Sequence, residues 1–510
     1  MCGFIYVNSD KISKSSVEKA LNKIEYRGPD FKETKAYNNN FFLSHCRLSI
    51  LDVSHRANQP MMSENKEYSI IFNGEIYNYK EIAKNLNLKL TTTSDTEVIL
   101  EGYAKIGNEI FQLLDGMFSL VIHDHNNKSW VATRDSFGIK PLYIYNRENS
   151  VIIASENKAI SSLVNVTVSK DSLIEWEIFR SPLPGKTFFN EIEEVLPGQI
   201  IEKSKISTKH FNFEDNENKF NQEHFDHLLK DTITQHTLSD VQNTSLVSGG
   251  VDSSIICKET NFQNYYSIGI KGNNEFRYTS ETAEKLNKTI INNTTTTETI
   301  LSNWKLLTKT KGEPLLVPNE GLIYEVCKNM KKEEKVVLTG EGADEMLFGY
   351  DRIYRWALNS KFQFNDFLSF YSYSKKKPTE RMKNYILEMQ FGKSTIEFIE
   401  DFFYFFHLPV LLRRMDFASM CAGKEARVPF VSKSLINYMY RISPEIKIDN
   451  MYSKKPLRKF SLNNNLEFVI DRKKIGFSAN LDTKKNRIEE YKNFRDVVIS
   501  TLGWTEIYEN

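Results

Sequence analysis

Thr244-Ser245-Leu246-Val247-Ser248-Gly249-Gly250-Val251-Asp252-Ser253-Ser254 is the stretch from which the rest of the chain is read. Leu246 and Val247 close a short apolar strand. Ser248, Gly249 and Gly250 form a tight turn, because glycine without a Cβ lets the backbone bend sharply and come close to a ligand. Ser253 and Ser254 lead into Ile255-Ile256-Cys257, which suits the first turns of a helix. The expected product is a small cup of backbone N–H groups and hydroxyls at a helix N-terminus, a place that favours phosphate. No Gly-Lys-Ser/Thr follows, so this is not the Walker-type loop. A bare Ser-Gly-Gly would also serve as a plain strand-to-helix turn without a ligand.

The full string Ser-Gly-Gly-Val-Asp-Ser-Ser is more specific. It resembles the pyrophosphate loop of the N-type ATP pyrophosphatases, which cleave ATP between the α and β phosphates. Strands and helices alternate after it. Tyr265 to Ile270 reads as a strand, Thr282 to Leu286 lies on a helix, and Val336-Val337-Leu338 is a short buried strand ending in Thr339-Gly340-Glu341-Gly342-Ala343-Asp344-Glu345. In open α/β sheets ligands bind beyond the carboxyl ends of strands. Asp252 and Asp344 beside a triphosphate would repel it without a cation, and Mg²⁺ takes carboxylate and phosphate oxygens together. Taken alone, the second loop also reads as an acidic loop or a cation site unrelated to ATP. The resemblance implies ATP as substrate, bound by Leu246, Ser248, Gly249, Gly250, Asp252, Ser253, Ser254, Ile268, Thr339, Gly340 and Glu341, with Asp252 and Asp344 holding Mg²⁺.

The C-terminal third is mostly helical by pattern, with Phe402-Phe403-Tyr404-Phe405-Phe406 as core helix or interface. The resemblance assigns the lysine three residues before Leu457-Arg458 to the α-phosphate and pyrophosphate. That is Lys454, with Lys455 a close rival; a lysine run by itself reads as a solvated face. Arg472-Lys473-Lys474-Ile475-Gly476-Phe477 is a further basic stretch.

The front of the chain carries a different chemistry. Met1-Cys2-Gly3-Phe4-Ile5-Tyr6-Val7 starts a strand at once. With Met1 removed, Cys2 has a thiol and an α-amine of reference pKa ~7.7–8.0, and the amine can serve as base for its own thiol. Tyr26-Arg27-Gly28-Pro29-Asp30 reads as a turn. His45-Cys46-Arg47-Leu48 is strand-like, with His45 and Cys46 facing opposite ways as packing residues. Ile70-Ile71-Phe72 is a strand ending in Asn73-Gly74-Glu75, and Ser94 or Asp95 caps the helix that follows. Each has an ordinary reading alone: Asn-Gly is a common hairpin turn, Arg47 a surface charge, Asp95 only a cap. In this order they resemble the class II glutamine amidotransferase domain. That resemblance implies Cys2 as nucleophile, and Arg47, Asn73, Glu75 and Asp95 as glutamine-binding residues. Arg suits the substrate carboxylate, which its fork can grip in two places. The Asn73 side chain and Gly74 N–H would stabilise the oxyanion. Gly116 to Ile122 and Trp130 to Asp135 read as paired strands, and Arg134, Asp135 and Lys140 as structural.

The totals agree with this reading. At ~150 residues per domain, 510 residues allow two to four domains, and 40% hydrophobic and 12% aromatic residues can fill their cores. Lys+Arg 67 against Asp+Glu 66 gives no global field for nucleic acid or a membrane surface. The five cysteines show no paired C-x-x-C spacing, against disulfides or zinc. No apolar run approaches the ~18 residues of a membrane span, and no secretion signal opens the chain, so the expected location is the cytoplasm.

Together the two halves resemble the glutamine-dependent asparagine synthetases of the bacterial B type. The expected fold is a two-domain α/β chain. An Ntn-hydrolase-like αββα sandwich at 2–205 precedes a parallel-sheet ATP pyrophosphatase domain with a helical C-terminal part at 222–510, and the linker lies at 213–219. The resemblance implies glutamine, ATP and aspartate as small-molecule substrates and leaves room for a homodimer. Three departures bear on the acceptor. Tyr26 replaces the usual histidine, Val431-Ser432 replaces Leu-Asp, and Gly312 to Glu320 lacks the serine and second proline usual near the acceptor site. The alternative acceptor is therefore another carboxylate, such as a sugar acid in surface-glycan or secondary-metabolite synthesis.

Overall fold

The computed structural model describes residues 2–38, 40–147, 149–203, 205–210, 220–472 and 487–509. The linker expected at 213–219 and the basic residues Lys473 and Lys474 lie outside these. The N-terminal half is a sandwich of two six-stranded antiparallel sheets. Strand Cys2–Asn8 lies inside the first sheet, between Phe41–Arg47 and Ser150–Ala154. Strand Tyr68–Ile76 lies inside the second, between Met61–Met62 and Gly116–Asp124. Alternation along these strands builds the layers, since successive side chains point to opposite faces. Phe4 and Tyr6 turn inward to meet Ile71 and Val121 of the other sheet. Ile5 and Val7 turn outward, under Val17, Ala20 and Leu21 of helix Lys14–Asn22. On the far face, Ile70 and Phe72 pack under Val98 and Ile99 of helix Asp95–Ile106. The result is the expected αββα stack.

The second half is built on parallel strands. Gln242–Ser245, Glu334–Leu338 and Glu425–Arg427 form one sheet, and Tyr265–Ile270 with Ile290–Thr295 another. A parallel bridge from Leu246 to Tyr266 joins the two. Helices cover them, and the C-terminal part is helical apart from Glu425–Arg427. That strand is the exception to a mostly helical expectation: it is three residues long and carries two charges, too short for a hydrophobic period. Ile290–Thr295 was equally hard to read, because Asn and Thr fill most of it. Of the aromatic run expected as core helix or interface, Phe402, Phe403, Tyr404 and Phe406 are buried and Phe405 is exposed; Phe403–His407 is a π-helical turn, a distortion that often sits beside functional sites.

Buried charge joins the halves. Arg27 is fully buried and holds Glu156 at 2.6 Å and Asp416 at 2.8 Å. Its Nε donates to the Cys2 carbonyl at 3.0 Å, and Lys140 reaches Asp416 at 3.3 Å. Tyr26 packs edge-on against Phe417 at 6.2 Å in the same region. The first strand is thereby tied to helix Leu408–Cys421 of the second half. No helix among the described residues is long and apolar enough to cross a membrane.

Candidate active sites

The first site forms where the two sheets of the sandwich meet. Cys2 opens its strand opposite Arg47, and its backbone nitrogen donates to Asn73 Oδ1 at 2.9 Å. That bond crosses from one sheet to the other and fixes the Asn73 amide. Asn73 Nδ2 is left buried and without a hydrogen-bond partner, a donor free for an oxyanion. Asn73 and Gly74 are not a hairpin turn. They lie within strand Tyr68–Ile76, paired with Ser119 and Phe118, so the strand continues past Phe72. A Cβ on Gly74 would sit 2.1 Å from the Met117 carbonyl oxygen, and glycine is what lets the strands pair here.

Arg47 is 5% exposed, and its guanidinium is held by neutral oxygens. Nη1 donates to Ser54 O at 2.9 Å and Asn58 Oδ1 at 2.8 Å, and Nη2 to Leu51 O at 3.0 Å. Its charge has no carboxylate partner among the described residues, which suits an incoming carboxylate. On the opposite account, Asp95 follows the N-cap Ser94 and accepts from Ile76 N at 3.0 Å. Burial pushes its carboxyl up to about 6. Glu75 Oε1 is buried and unpartnered, while Oε2 meets Arg427 at 3.0 Å. Burial pushes the Cys2 thiol up, so it needs a base to ionise. His45 bonds the Phe72 carbonyl at 3.0 Å and Cys46 the Gly3 carbonyl at 3.4 Å, packing roles as expected. Arg134, Asp135 and Lys140 likewise bind loop backbone and buried partners.

The second site is a cavity of about 920 Å³ at the carboxyl ends of the parallel strands. Gly249 has φ 80° and leads to Gly250, the N-cap of helix Val251–Glu259. A side chain at Gly249 would strike Tyr278 at 2.6 Å. Ser253 Oγ accepts from Ser248 N at 3.1 Å and closes the loop. Leu246, Ser248, Gly249, Gly250, Asp252, Ser253, Ile268, Thr339, Gly340, Glu341 and Asp344 all line this cavity. Ser254 does not: it is fully buried behind the loop, because the helix has already turned its side chain inward.

Lys454 Nζ lies between Asp252 Oδ2 at 2.6 Å and Asp344 Oδ1 at 2.7 Å. The two carboxylates hold its ammonium well above the usual lysine range. Lys455 turns away, to Glu445 O at 2.7 Å and Asp449 at 3.2 Å. Asp252 Oδ1 is buried without a hydrogen-bond partner, which fits a cation. Among the described residues no cluster of three His, Cys, Asp or Glu could hold a metal alone, so phosphate oxygens would have to complete the shell. Arg472 Nη1 clamps the Gly249 carbonyl at 2.6 Å.

Sequence reasoning missed Glu345, although it stands next to Asp344. It is 1% exposed, lines the cavity, and accepts from Tyr350 OH at 2.6 Å. Burial, then the neighbouring Asp344, lift its carboxyl from an ordinary 4.5 to about 7. Such a value near neutrality in a cleft marks a proton-transfer candidate. Arg414, which meets Glu341 at 2.5 Å and Asn319 at 3.0 Å, was missed too. Its place could not be read from a helix whose every face is buried.

A cysteine pocket in a two-sheet sandwich, joined to a glycine-loop cavity at the ends of a parallel sheet, is the arrangement of an amidotransferase coupled to a nucleotide-dependent unit. Comparison with known proteins agrees. Residues 1–213 match a glutamine amidotransferase domain family and residues 224–503 the asparagine synthase family. The chain is 30% identical to asparagine synthetase (glutamine-hydrolysing) 1 of Bacillus subtilis (strain 168), covering 96% of this chain and 89% of the relative. It is 25% identical to asparagine synthetase 3 of the same organism, over 88% of this chain and 81% of that one. It is 27% identical to asparagine synthetase 3 of Arabidopsis thaliana, over 88% and 72%. The chain belongs to the asparagine synthase family, a class of carbon–nitrogen ligases that draw nitrogen from glutamine.

Proposed function

We propose that this chain converts a carboxylic acid to its amide with glutamine and ATP, and that the acid is aspartate. One observation carries the coupling. Arg427 holds Glu75 in the glutamine pocket at 3.0 Å and Glu425 at 2.7 Å. Its carbonyl accepts from Thr339 N at 2.9 Å, at the edge of the nucleotide cavity. A single short strand thus touches both pockets.

Residues 2–205 do the first chemistry and residues 222–510 the second. With Met1 removed, the Cys2 α-amine takes the thiol proton, and sulfur attacks the glutamine side-chain carbonyl. Asn73 Nδ2 and Gly74 N–H stabilise the oxyanion. Ammonia leaves with the proton, and water hydrolyses the thioester to glutamate. Arg47 holds the glutamine carboxylate; Asp95 and Glu75 hold its amine. In the cavity the acceptor carboxylate attacks the α-phosphate and pyrophosphate departs. Lys454 neutralises the charge on the phosphates, and Mg²⁺ held by Asp252 and Asp344 would add to that neutralisation. Ammonia then attacks the acyl carbon, Glu345 takes its proton, and AMP leaves.

A second reading, another carboxylate as acceptor, is favoured by one feature. Val317, Pro318 and Asn319, within the departing stretch, line the cavity. Aspartate labelled with ¹⁸O in its β-carboxylate tests both readings. One labelled oxygen should appear in AMP, with one pyrophosphate per amide. Label in pyrophosphate, or ADP as product, would contradict the acyl-adenylate; no turnover with aspartate but turnover with another acid would select the second reading.

A further inference from the structure

The amidotransferase half reaches into the nucleotide cavity. Helix Lys170–Phe179 ends at Arg180, whose φ of 70° turns the chain away, and Arg180 lines the cavity although only 5% exposed. Its Nη2 meets His407 Nδ1 at 3.0 Å and Tyr371 OH at 3.3 Å, and its guanidinium stacks over the Tyr373 ring at 4.3 Å. All of these partners are uncharged or weakly polar groups. Nε is buried with no hydrogen-bond partner, and no carboxylate among the described residues forms an ion pair with Arg180. A desolvated guanidinium without a counter-ion is unfavourable unless an anion binds it in the working state.

The geometry says which anion. His407 Nε2 faces Glu345 Oε1 at 3.6 Å, and Glu345 follows Asp344, the partner of Lys454. Arg180 is thus separated from the phosphate cup by His407 and Glu345. A carboxylate reacting at the α-phosphate has to lie at the cup, so the group on Arg180 is a different one. Resting on the ligase reading above, we propose that Arg180 binds a second, non-reacting carboxylate of the acceptor. The acceptor is then a dicarboxylic acid, and its subsite is completed by the amidotransferase half. Nε, buried and unpaired, is the donor left to meet that carboxylate.

The test uses the full-length protein with ATP and ammonium, measuring pyrophosphate release with L-aspartate, its α-amide (one carboxylate left) and D-glucuronate. Arg180→Gln should raise KM for aspartate roughly 10–100-fold, the range of hydrogen bonds to charged groups. Arg180→Lys should recover part of that loss. KM for ATP and the glutaminase rate should stay unchanged, which also shows that the variants fold. The wild type should discriminate against the α-amide by a similar factor, and Arg180→Gln should lose that discrimination. An unchanged KM, or discrimination that survives in Arg180→Gln, overturns the inference. So does a wild type that prefers glucuronate with Arg180→Gln equally active; all three outcomes leave the ligase reading standing. A wild type that releases pyrophosphate with none of these acids overturns the ligase reading and this inference with it.

Discussion

Cys2→Ala should lower glutamate release from glutamine by at least ~10³-fold, as loss of a covalent nucleophile does, while amide synthesis from added ammonium stays within about twofold. The structure explains the asymmetry. The contacts that place Cys2 are made by its backbone: the nitrogen to Asn73 Oδ1 at 2.9 Å and the carbonyl from Arg27 Nε at 3.0 Å. Alanine keeps both, so the first strand, the buried Arg27–Asp416 pair and the second half stay in place. Only sulfur is lost, and sulfur takes part only in freeing ammonia. Parallel assays of glutamate and amide product, with glutamine or ammonium as donor, separate the two. Loss of both activities would contradict separate sites.

Glu345→Gln should have the opposite effect. Glutaminase activity should persist, while ammonium-driven synthesis should fall by ~10²–10⁴-fold, the usual contribution of a positioned general base. The substitution is nearly isosteric and can still accept from Tyr350 OH, which bonds Oε1 at 2.6 Å. What it removes is a carboxylate titrating at about 7. The base must be ionised to act, so the wild-type synthesis rate should rise as pH passes upward through 7, and the variant should lack that limb. The same shift bears on stability. The folded carboxyl keeps a proton that the unfolded chain releases near 4.5, so this group's contribution is full below 4.5 and is lost as pH rises through about 7. A variant with the wild-type rate and pH profile would remove Glu345 from the mechanism.

Much of this was legible in the residues because the chemistry is local. Ser248 to Ser253 is a continuous string whose turn needs glycine, and Gly249 does take φ 80°. Cys2 at a strand start, Arg47 at a strand end and Asp95 just after an N-cap are short-range features. The sequence framed the choice between Lys454 and Lys455, and folding is what surrounds the Lys454 ammonium with the two aspartates. What could not be read depends on contacts between distant segments. Glu345 looks like one more acidic residue until burial lifts its carboxyl. Arg427 lies 352 residues from the Glu75 it holds. Arg180 sits in the half expected to handle glutamine, and only folding brings its helix end to the nucleotide cavity. Asn73 and Gly74 show the converse: a dipeptide with a strong turn signal is held within a strand by its neighbour across the sheet.

The central claim is that nitrogen freed at Cys2 is captured, within the same molecule, by an acid activated at the nucleotide cavity. The most direct measurement supplies glutamine labelled with ¹⁵N in its amide together with excess unlabelled ammonium, and reads the isotope in the amide product by mass spectrometry. Label retained in most of the product, at one pyrophosphate per labelled amide, is the predicted result. Label diluted to the proportion in the bulk ammonium would show that the two pockets work independently and would contradict the account.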